Sequence, residues 1–268
     1  MEHSRPPATS PSWARPRQWA RTAGRLAGSV LFPDSCLACG RHVDRHGALC
    51  AACWPDIAFI EQPLCAVSGL PFAHDFGGHM VSAEALANPP AYDRARSACV
   101  HAGVARQLVT RLKYNDRTDL GPWMARFMAR AGRELLAEAD IVVPVPLHWV
   151  RLWTRRFNQS AELARALSAQ SGLPMDAGAL VRRRRTRRQV GLTATQRQTN
   201  VRGVFVVPDE KRIAIKGRSV LLVDDVLTTG ATVEAAARTL CRAGAARIEV
   251  LTFSRVVPGR DDEGRRGR

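Results

Sequence analysis

Residues 220–232 read Val-Leu-Leu-Val-Asp-Asp-Val-Leu-Thr-Thr-Gly-Ala-Thr, and this stretch decides the fold. The four apolar residues at its start predict a buried parallel strand, because strands covered on both faces read as continuous hydrophobic runs. Asp224 and Asp225 come at the carboxyl end of that strand, and a loop of small residues then opens a helical pattern. Open α/β sheets bind their ligands at this edge. The stretch therefore predicts both a sheet and a ligand site.

The flanking sequence alternates between strand and helix patterns. We predict strands at residues 95–101, 141–145, 204–207, 220–223 and 248–253, and helices at residues 104–113, 122–139, 159–171 and 231–243. Such alternation indicates the α/β class, with a mostly parallel sheet flanked by helices. No internal repeat is visible in the sequence.

The loop after the acid pair has the composition of a phosphate site. Its hydroxyls, its backbone N–H groups and its place at a helix N-terminus all suit a phosphate. The two aspartates can accept hydrogen bonds from the vicinal hydroxyls of a sugar and lie near a magnesium ion, so a phosphorylated ribose fits. The alternative is a capped helix start with two exposed aspartates. The nucleotide-binding motifs G-x-G-x-x-G and G-x4-G-K-[ST] do not occur in the sequence. The loop residues are Thr228, Thr229, Gly230, Ala231 and Thr232.

Four of the seven cysteines form a C-x2-C pair, a ten-residue spacer and a second C-x2-C pair. This spacing is typical of zinc, and four protein thiolates leave no open position, so we expect a structural metal rather than a catalytic one. The alternatives are a pair of disulfides or a redox-active C-x-x-C. We expect the remaining cysteines, Cys65, Cys99 and Cys241, to be buried small hydrophobes. The predicted zinc ligands are Cys36, Cys39, Cys50 and Cys53.

Composition divides the chain into five predicted segments. Residues 1–30 form a basic tail with a short helix, and residues 31–62 form a small zinc-ribbon-like module with four cysteines. Residues 63–92 are rich in turn-forming Gly and Pro and predict a linker or hood. Residues 93–257 carry the α/β domain, and residues 258–268 form a disordered tail.

The net charge of +16 comes from 40 Lys and Arg against 24 Asp and Glu, and 37 of the 40 cations are arginines. Residues 1–30 contribute +4, residues 182–202 contribute +8 and residues 255–268 contribute +2. Arginine recognises phosphate through a planar fork, so nucleic acid, a phosphorylated metabolite and an acidic membrane surface are candidate partners. No apolar run approaches the roughly 18 residues of a membrane span, and we expect a cytoplasmic protein without stable membrane insertion. An Arg-rich start is also typical of an organellar transit peptide.

Residues 220–232 resemble the phosphoribosyl-pyrophosphate motif of the phosphoribosyltransferase superfamily, which is an apolar strand followed by two acids and T-T-G-x-T. Further motifs resemble the ComF group of competence-associated, phosphoribosyltransferase-like proteins. A second C-x-x-C-G is common in that group near residue 65, but Ser68 takes the second cysteine position here. The motifs are the four-cysteine group, Leu112-Lys-Tyr114, Pro144-Val-Pro-Leu147, Arg155-Arg-Phe-Asn-Gln159 and Gln189-x-Gly-Leu192 with Arg197 and Asn200-Val201.

The resemblance implies a role for each matching residue. Asp224 and Asp225 would bind the ribose hydroxyls, and residues 228–232 would bind the 5-phosphate. Pro144 would open the pyrophosphate loop. Lys113 ends an apolar helix pattern, where it either reaches the site or stabilises the negative pole of the helix. Cations suited to neutralising the departing pyrophosphate, beside a magnesium ion, are Arg155, Arg156 and the segment from Arg182 to Arg197; Arg156 stands where the ComF pattern usually has glycine.

These observations leave two functions open. One is an enzyme, a phosphoribosyltransferase that binds phosphoribosyl pyrophosphate with Mg²⁺ and transfers phosphoribose to an acceptor that no residue identifies. The other is a non-catalytic cytoplasmic DNA-uptake factor that binds single-stranded DNA or a helicase partner. With either function, the resemblance to ComF implies a link to natural transformation.

Overall fold

The computed structural model describes residues 34–75, 77–114, 117, 119–147, 157–183 and 203–259. The chain separates into two compact units, Met1–Cys50 and Ala51–Arg268. Several predicted features lie outside the described residues: the N-terminal tail 1–30, most of the C-terminal tail (260–268), the basic stretch 184–202, and Arg155, Arg156 and Arg197. Among the described helices, none combines the length and apolar character needed to cross a membrane.

A four-stranded parallel sheet forms the centre of the larger unit, in the order β1-β6-β5-β2. Its strands match four of the predicted ones. The predicted strand at 204–207 is not part of this sheet, because only two of its residues form a ladder, and they pair antiparallel with another short strand. The strands are β1 (Arg94–Val100), β2 (Ile141–Pro144), β3 (Val181–Arg182), β4 (Phe205–Val206), β5 (Ser219–Leu227) and β6 (Arg247–Arg255).

Helices connect and cover these strands. The prediction of one helix over 122–139 is wrong, since the segment divides into α3 and α4 at Gly132. Gly132 packs so closely on the sheet that a Cβ there would lie 2.6 Å from Leu251 Cδ1. The helices are α1 (Ala83–Ala87), α2 (Gly103–Tyr114), α3 (Leu120–Ala131), α4 (Arg133–Glu138), α5 (Gln159–Ser171), α6 (Arg212–Ile215) and α7 (Ala231–Arg242), with a 3₁₀ turn at Asp209–Lys211.

The core lies on both faces of the sheet. The apolar run from Val220 to Val223 is completely buried, as a central parallel strand requires. Cys65 and Cys99 are buried as predicted, whereas the prediction for Cys241 is wrong, because its position on α7 is exposed.

Strand β5 is longer than predicted, and this difference positions the acid pair. The strand continues through Asp224 and Asp225 to Leu227 and stays paired with β6 over that length. Its other neighbour, β2, ends at Pro144 opposite Val223. The acid pair therefore lies where one neighbouring strand has already ended, which leaves space for side chains from helices.

Candidate functional site

Asp224 is held by two hydrogen bonds to one carboxylate oxygen. The Ser160 hydroxyl donates to Oδ1 at 2.7 Å, and the Asp225 backbone N–H donates to the same atom at 2.9 Å. Burial and, secondly, the negative charge of Asp225 raise the pKa of Asp224 to about 7, although the Ser160 hydrogen bond acts in the opposite direction. Near neutral pH, both the protonated and the ionised form of Asp224 are therefore populated.

Asp225 is buried and paired with a cation. Lys113 Nζ lies 3.0 Å from Asp225 Oδ2 and comes from the last turn of α2. The sequence left open whether Lys113 reaches the acid pair or only stabilises the end of its helix, and in the structure it contacts Asp225. The two carboxyl groups therefore differ: the pKa of Asp224 is raised, whereas the negative charge of Asp225 is compensated by the ammonium group of Lys113.

His101 and Ser254 extend the cluster across the carboxyl ends of β1 and β6. The His101 ring nitrogen Nδ1 lies 2.8 Å from the Ser254 hydroxyl. Burial, and secondly the positive charge of Lys113, lower the pKa of His101 to about 4. The imidazole is therefore neutral at physiological pH, although it lies within the electrostatic range of Asp225.

The sequence patterns did not indicate Ser160 or His101. Carboxyl ends of parallel strands meet at one edge of a sheet, so a polar residue directly after each strand is a candidate site residue. His101 follows β1 and satisfies that criterion. Ser160 belongs to the first turn of α5, and only the tertiary structure brings it to the acids.

The loop from Thr228 to Thr232 joins the acid pair to α7. Thr228 and Thr229 are exposed, and Gly230 adopts a left-handed conformation (φ 77°) at the N-cap of α7, which receives no side-chain cap. The first N–H groups of a helix have no intrahelical partner, and its positive pole favours anions. The loop therefore has the geometry of a phosphate cradle. Glu234 in the first turn is occupied elsewhere, since it accepts from the Ala91 N–H and pairs with an arginine.

The segment after β2 is fixed beside the acids. Pro144 ends the strand, and the next residue, Val145, donates its N–H to the Val223 carbonyl at 2.8 Å. Asn158 caps α5 by accepting from the Ser160 N–H at 3.1 Å, and its side-chain amide donates to the Val145 carbonyl at 3.1 Å. These hydrogen bonds hold Val145 and Asn158 next to each other and next to the strand that carries the acid pair.

The four cysteines with zinc-type spacing come together in space. Their Sγ atoms all lie within 4.8 Å of one another, and the Cys39 and Cys50 sulfurs are 3.7 Å apart. Tetrahedral zinc with Zn–S bonds of about 2.3 Å requires sulfurs about 3.8 Å apart, so the group fits the metal. None of the four forms a disulfide bond in the structure, contrary to the disulfide alternative.

The backbone around Cys36 favours a thiolate. Burial by itself raises the pKa of Cys36, but N–H groups from Cys39, Cys50 and Ala38 together outweigh burial and lower it to about 6. A metal held here would have four protein ligands, Cys36, Cys39, Cys50 and Cys53, and would act structurally, because no position is left for water or substrate.

Comparison with known protein families supports both the zinc-ribbon assignment and the phosphoribosyltransferase-like fold. Residues 27–86 match the double zinc ribbon domain, and residues 158–263 match the phosphoribosyl transferase domain. The domain boundaries given above after residues 62 and 92 stay predictions.

Three curated relatives illustrate the similarity. "DNA utilization protein YhgH" of Escherichia coli O157:H7 is 31% identical over 217 residues, which cover 79% of this chain and 92% of that protein. "Competence protein F" of Haemophilus influenzae is 27% identical over 232 residues, covering 84% of this chain and 98% of that protein. "Competence protein ComFC" of Bacillus subtilis is 27% identical over 162 residues, covering 60% and 63%.

A parallel sheet with two acids and a threonine-rich turn at its carboxyl edge, preceded along the chain by a four-cysteine zinc ribbon, defines a phosphoribosyltransferase-like protein of the α/β class. Within that class, the chain belongs to the ComF family.

Proposed function

We propose that this protein binds phosphoribosyl pyrophosphate with Mg²⁺ at the carboxyl edge of β5. One observation carries the proposal: two carboxylates that can accept hydrogen bonds from ribose hydroxyls are followed within one turn by an uncapped helix N-terminus suited to the 5-phosphate.

Each part of the site has a proposed task. Asp224 and Asp225 accept from the vicinal ribose hydroxyls, and residues 228–232 surround the 5-phosphate with N–H and hydroxyl donors. The segment that begins at Pro144 faces the pyrophosphate. We also propose that Arg155, Arg156 and Arg197 neutralise the pyrophosphate, as the sequence analysis indicates.

Lys113 competes with the proposed ligand for the Asp225 carboxylate. Its ammonium group occupies Asp225 Oδ2 at 3.0 Å, so a hydroxyl that binds there has to share or displace it. The released ammonium group is then available to a phosphate oxygen. Asp224, with its pKa raised to about 7, takes up or loses its proton as the hydrogen-bonding partner changes.

Magnesium fits the chemistry of this donor set, because Mg²⁺ prefers carboxylate and phosphate oxygens and keeps several waters. When bound, the ion supplies positive charge to the pyrophosphate. The chain's own groups hold the ribose ring and the 5-phosphate in place, and fixed positive groups stabilise the negative charge that develops on the leaving pyrophosphate.

We further propose that the protein transfers phosphoribose. In that reaction the bond from C1 to the pyrophosphate oxygen breaks, pyrophosphate leaves with the bonding pair, and a nucleophilic acceptor bonds to C1. Residues that orient the ring and exclude water are the ones that this step requires. The acceptor is to be sought by measuring pyrophosphate release with candidate bases and amines.

Isothermal titration calorimetry tests the binding proposal directly. We expect saturable binding of phosphoribosyl pyrophosphate in the presence of Mg²⁺, and loss of that binding in the Asp225→Asn variant. Asp209→Asn is the matched control, because this aspartate is exposed and lies in the 3₁₀ turn before α6. Absence of binding, or equal affinity of the wild type and Asp225→Asn, would disprove the assignment.

The names of the relatives favour a second candidate. One is called a DNA utilization protein and two are called competence proteins, so we propose a cytoplasmic role linked to DNA uptake or use. The zinc-type group of four cysteines supports such a compartment, because cysteines that bind metal are typical of the reducing cytosol. In the non-catalytic form of this candidate, the protein binds single-stranded DNA or a helicase partner and does not turn over.

DNA binding has a distinct signature. Its affinity should fall steeply with salt, because phosphate contacts release counterions. Neutralising the arginines in residues 182–188 should abolish that binding, while Asp224→Asn and Asp225→Asn should leave it intact. The opposite pattern of sensitivity would support the phosphoribosyl site instead.

A further inference from the structure

The turn at Cys65 repeats the backbone of the turn at Cys36. Both run Cys-x-x-(Cys or Ser)-Gly, and both glycines have positive φ, 77° at Gly40 and 67° at Gly69. Each first cysteine donates its N–H to the residue five positions later, at 2.7 and 2.8 Å, and its carbonyl accepts from the glycine, at 3.0 and 2.8 Å. Flanking antiparallel bridges also correspond, Ser35 with His42 and Leu64 with Pro71.

The second half of each ribbon corresponds as well. The Cys50 backbone N–H donates to Cys36 Sγ at 3.3 Å, and the Ser82 backbone N–H donates to Cys65 Sγ at 3.3 Å. Ser82 therefore stands where the first ribbon has its third ligand. Three residues beyond the third ligand the first ribbon has Cys53, and three residues beyond Ser82 the second has an alanine. The four positions of the second ribbon are thus Cys65, Ser68, Ser82 and Ala85.

These four residues do not fit zinc. A structural zinc site needs four thiolate or imidazole donors, and the second ribbon keeps one thiol beside two neutral hydroxyls and a methyl group. Within the part of the chain that the structure describes, the four-cysteine group from Cys36 to Cys53 is the single cluster of three or more possible metal ligands. The second metal that a double zinc ribbon implies has no ligand set here.

Hydrogen bonds occupy the centre of the second ribbon instead. Cys65 Sγ accepts the N–H groups of Ser68 and Ser82, each at 3.3 Å, and its thiol donates to the Ser82 hydroxyl at 3.5 Å. The same hydroxyl caps α1 by accepting from the Ala85 N–H. Buried Arg255, at the end of β6, donates to the Ser68 carbonyl. The turn is thereby tied to the sheet without a metal.

The second ribbon also docks directly on β1. The Val67 carbonyl accepts from the Ala95 N–H at 2.8 Å, and a Cβ at Gly69 would lie 2.2 Å from the Ala95 carbonyl oxygen. We propose that this chain is a half-metallated double ribbon: the first ribbon binds one zinc, and the second keeps the ribbon backbone but binds none. The second ribbon should therefore keep its structure when zinc is removed.

Metal stoichiometry tests the proposal on the full chain. We expect 1 zinc per chain in the wild type, measured by atomic emission on protein purified in excess zinc, and we expect the Cys65→Ala variant to retain it. The Cys36→Ser variant should lose it. Two zinc ions per wild-type chain, or loss of zinc in a folded Cys65→Ala variant, would overturn the proposal.

Restoring the ligands tests the correspondence between the ribbons. The triple variant Ser68→Cys, Ser82→Cys, Ala85→Cys should bind 2 metals per chain and should double the cobalt–thiolate absorbance per chain. Adding Cys36→Ser to it should return the count to 1. A folded triple variant that stays at 1 metal would show that these residues are not at ligand positions. If the triple variant does not fold, the wild-type stoichiometry alone decides.

Discussion

Replacing Asp224 with asparagine should stabilise the protein in a pH-dependent way. The amide keeps the size of the side chain and its Oδ1, which accepts from Ser160, but it removes the negative charge. Burial and the charge of Asp225 raise the pKa of Asp224 to about 7 in the folded protein, against about 3.9 in the unfolded chain. Between these two values, folding takes up a proton.

The sign and size of the effect follow from that proton. Because the folded pKa is the higher one, the stability associated with Asp224 is fully present below pH of about 4 and is lost as the pH rises through about 7. One proton corresponds to about 1.4 kcal/mol per pH unit. From pH 5 to pH 7 the wild type should therefore lose up to about 3 kcal/mol relative to the Asp224→Asn variant.

Urea unfolding of both proteins at pH 5, 6, 7 and 8, in excess zinc and without ligand, measures this difference. His101, with its pKa lowered to about 4, gives a slope of opposite sign between about pH 4 and 6.5, but both proteins contain it and the difference cancels its contribution. Asp209→Asn is the control for removing one carboxylate at an exposed site. A difference between Asp224→Asn and wild type that stays constant within about 0.5 kcal/mol across this range would refute the reasoning.

Three further results are expected. Lys113→Gln should raise the pKa of His101 from about 4, measured by NMR titration, since the ammonium charge helps to lower it; an unchanged value would contradict this electrostatic effect of Lys113. Ser160→Ala should raise the pKa of Asp224 further and cost about 2 kcal/mol at pH 8, with a smaller loss at pH 5, because a hydrogen bond to a charged group disappears. Glu249→Gln should reduce the free energy of unfolding by about 1.5 to 3 kcal/mol, since buried Glu249 loses its charged hydrogen bonds with Arg94, while Arg94 keeps its ion pair with Glu138; a loss below about 0.5 kcal/mol would contradict the Arg94–Glu249 ion pair.

The local parts of the site were readable from the sequence because they are contiguous. The apolar run at 220–223, the acid pair and the turn through Gly230 all lie in one segment, where strand and helix patterns fix the order of the chemistry. The four-cysteine group was predictable for a similar reason, since the two C-x2-C spacings already bring sulfurs to one centre. Boundaries were less exact, because pairing with β6 extends β5 beyond its apolar residues.

Contacts between distant segments could not be predicted in this way. Lys113 and Ser160 come from two helices, and which carboxylate each one contacts depends on where β2 ends and how those helices cross the sheet. Of the second ribbon, the sequence showed only the first turn, with Cys65 and with Ser68 at the second cysteine position. Three of its four ligand positions are not cysteine, so the correspondence between the two ribbons is seen in their backbone hydrogen bonds and not in their residue types.

From the sequence alone follow the class of the fold, the place of the acid pair and the threonine-rich loop along the chain, and the group of four cysteines with zinc-type spacing. Each of these follows from residues that are close together in the sequence, because local spacing fixes which side chains share a strand, a turn or a metal centre. Only the tertiary structure shows how the two acids differ and how the second ribbon is held to the sheet without a metal. Those properties depend on burial and on partners from remote segments, such as Ser160 at Asp224 and Arg255 at Ser68, whose positions only the packed sheet and helices establish.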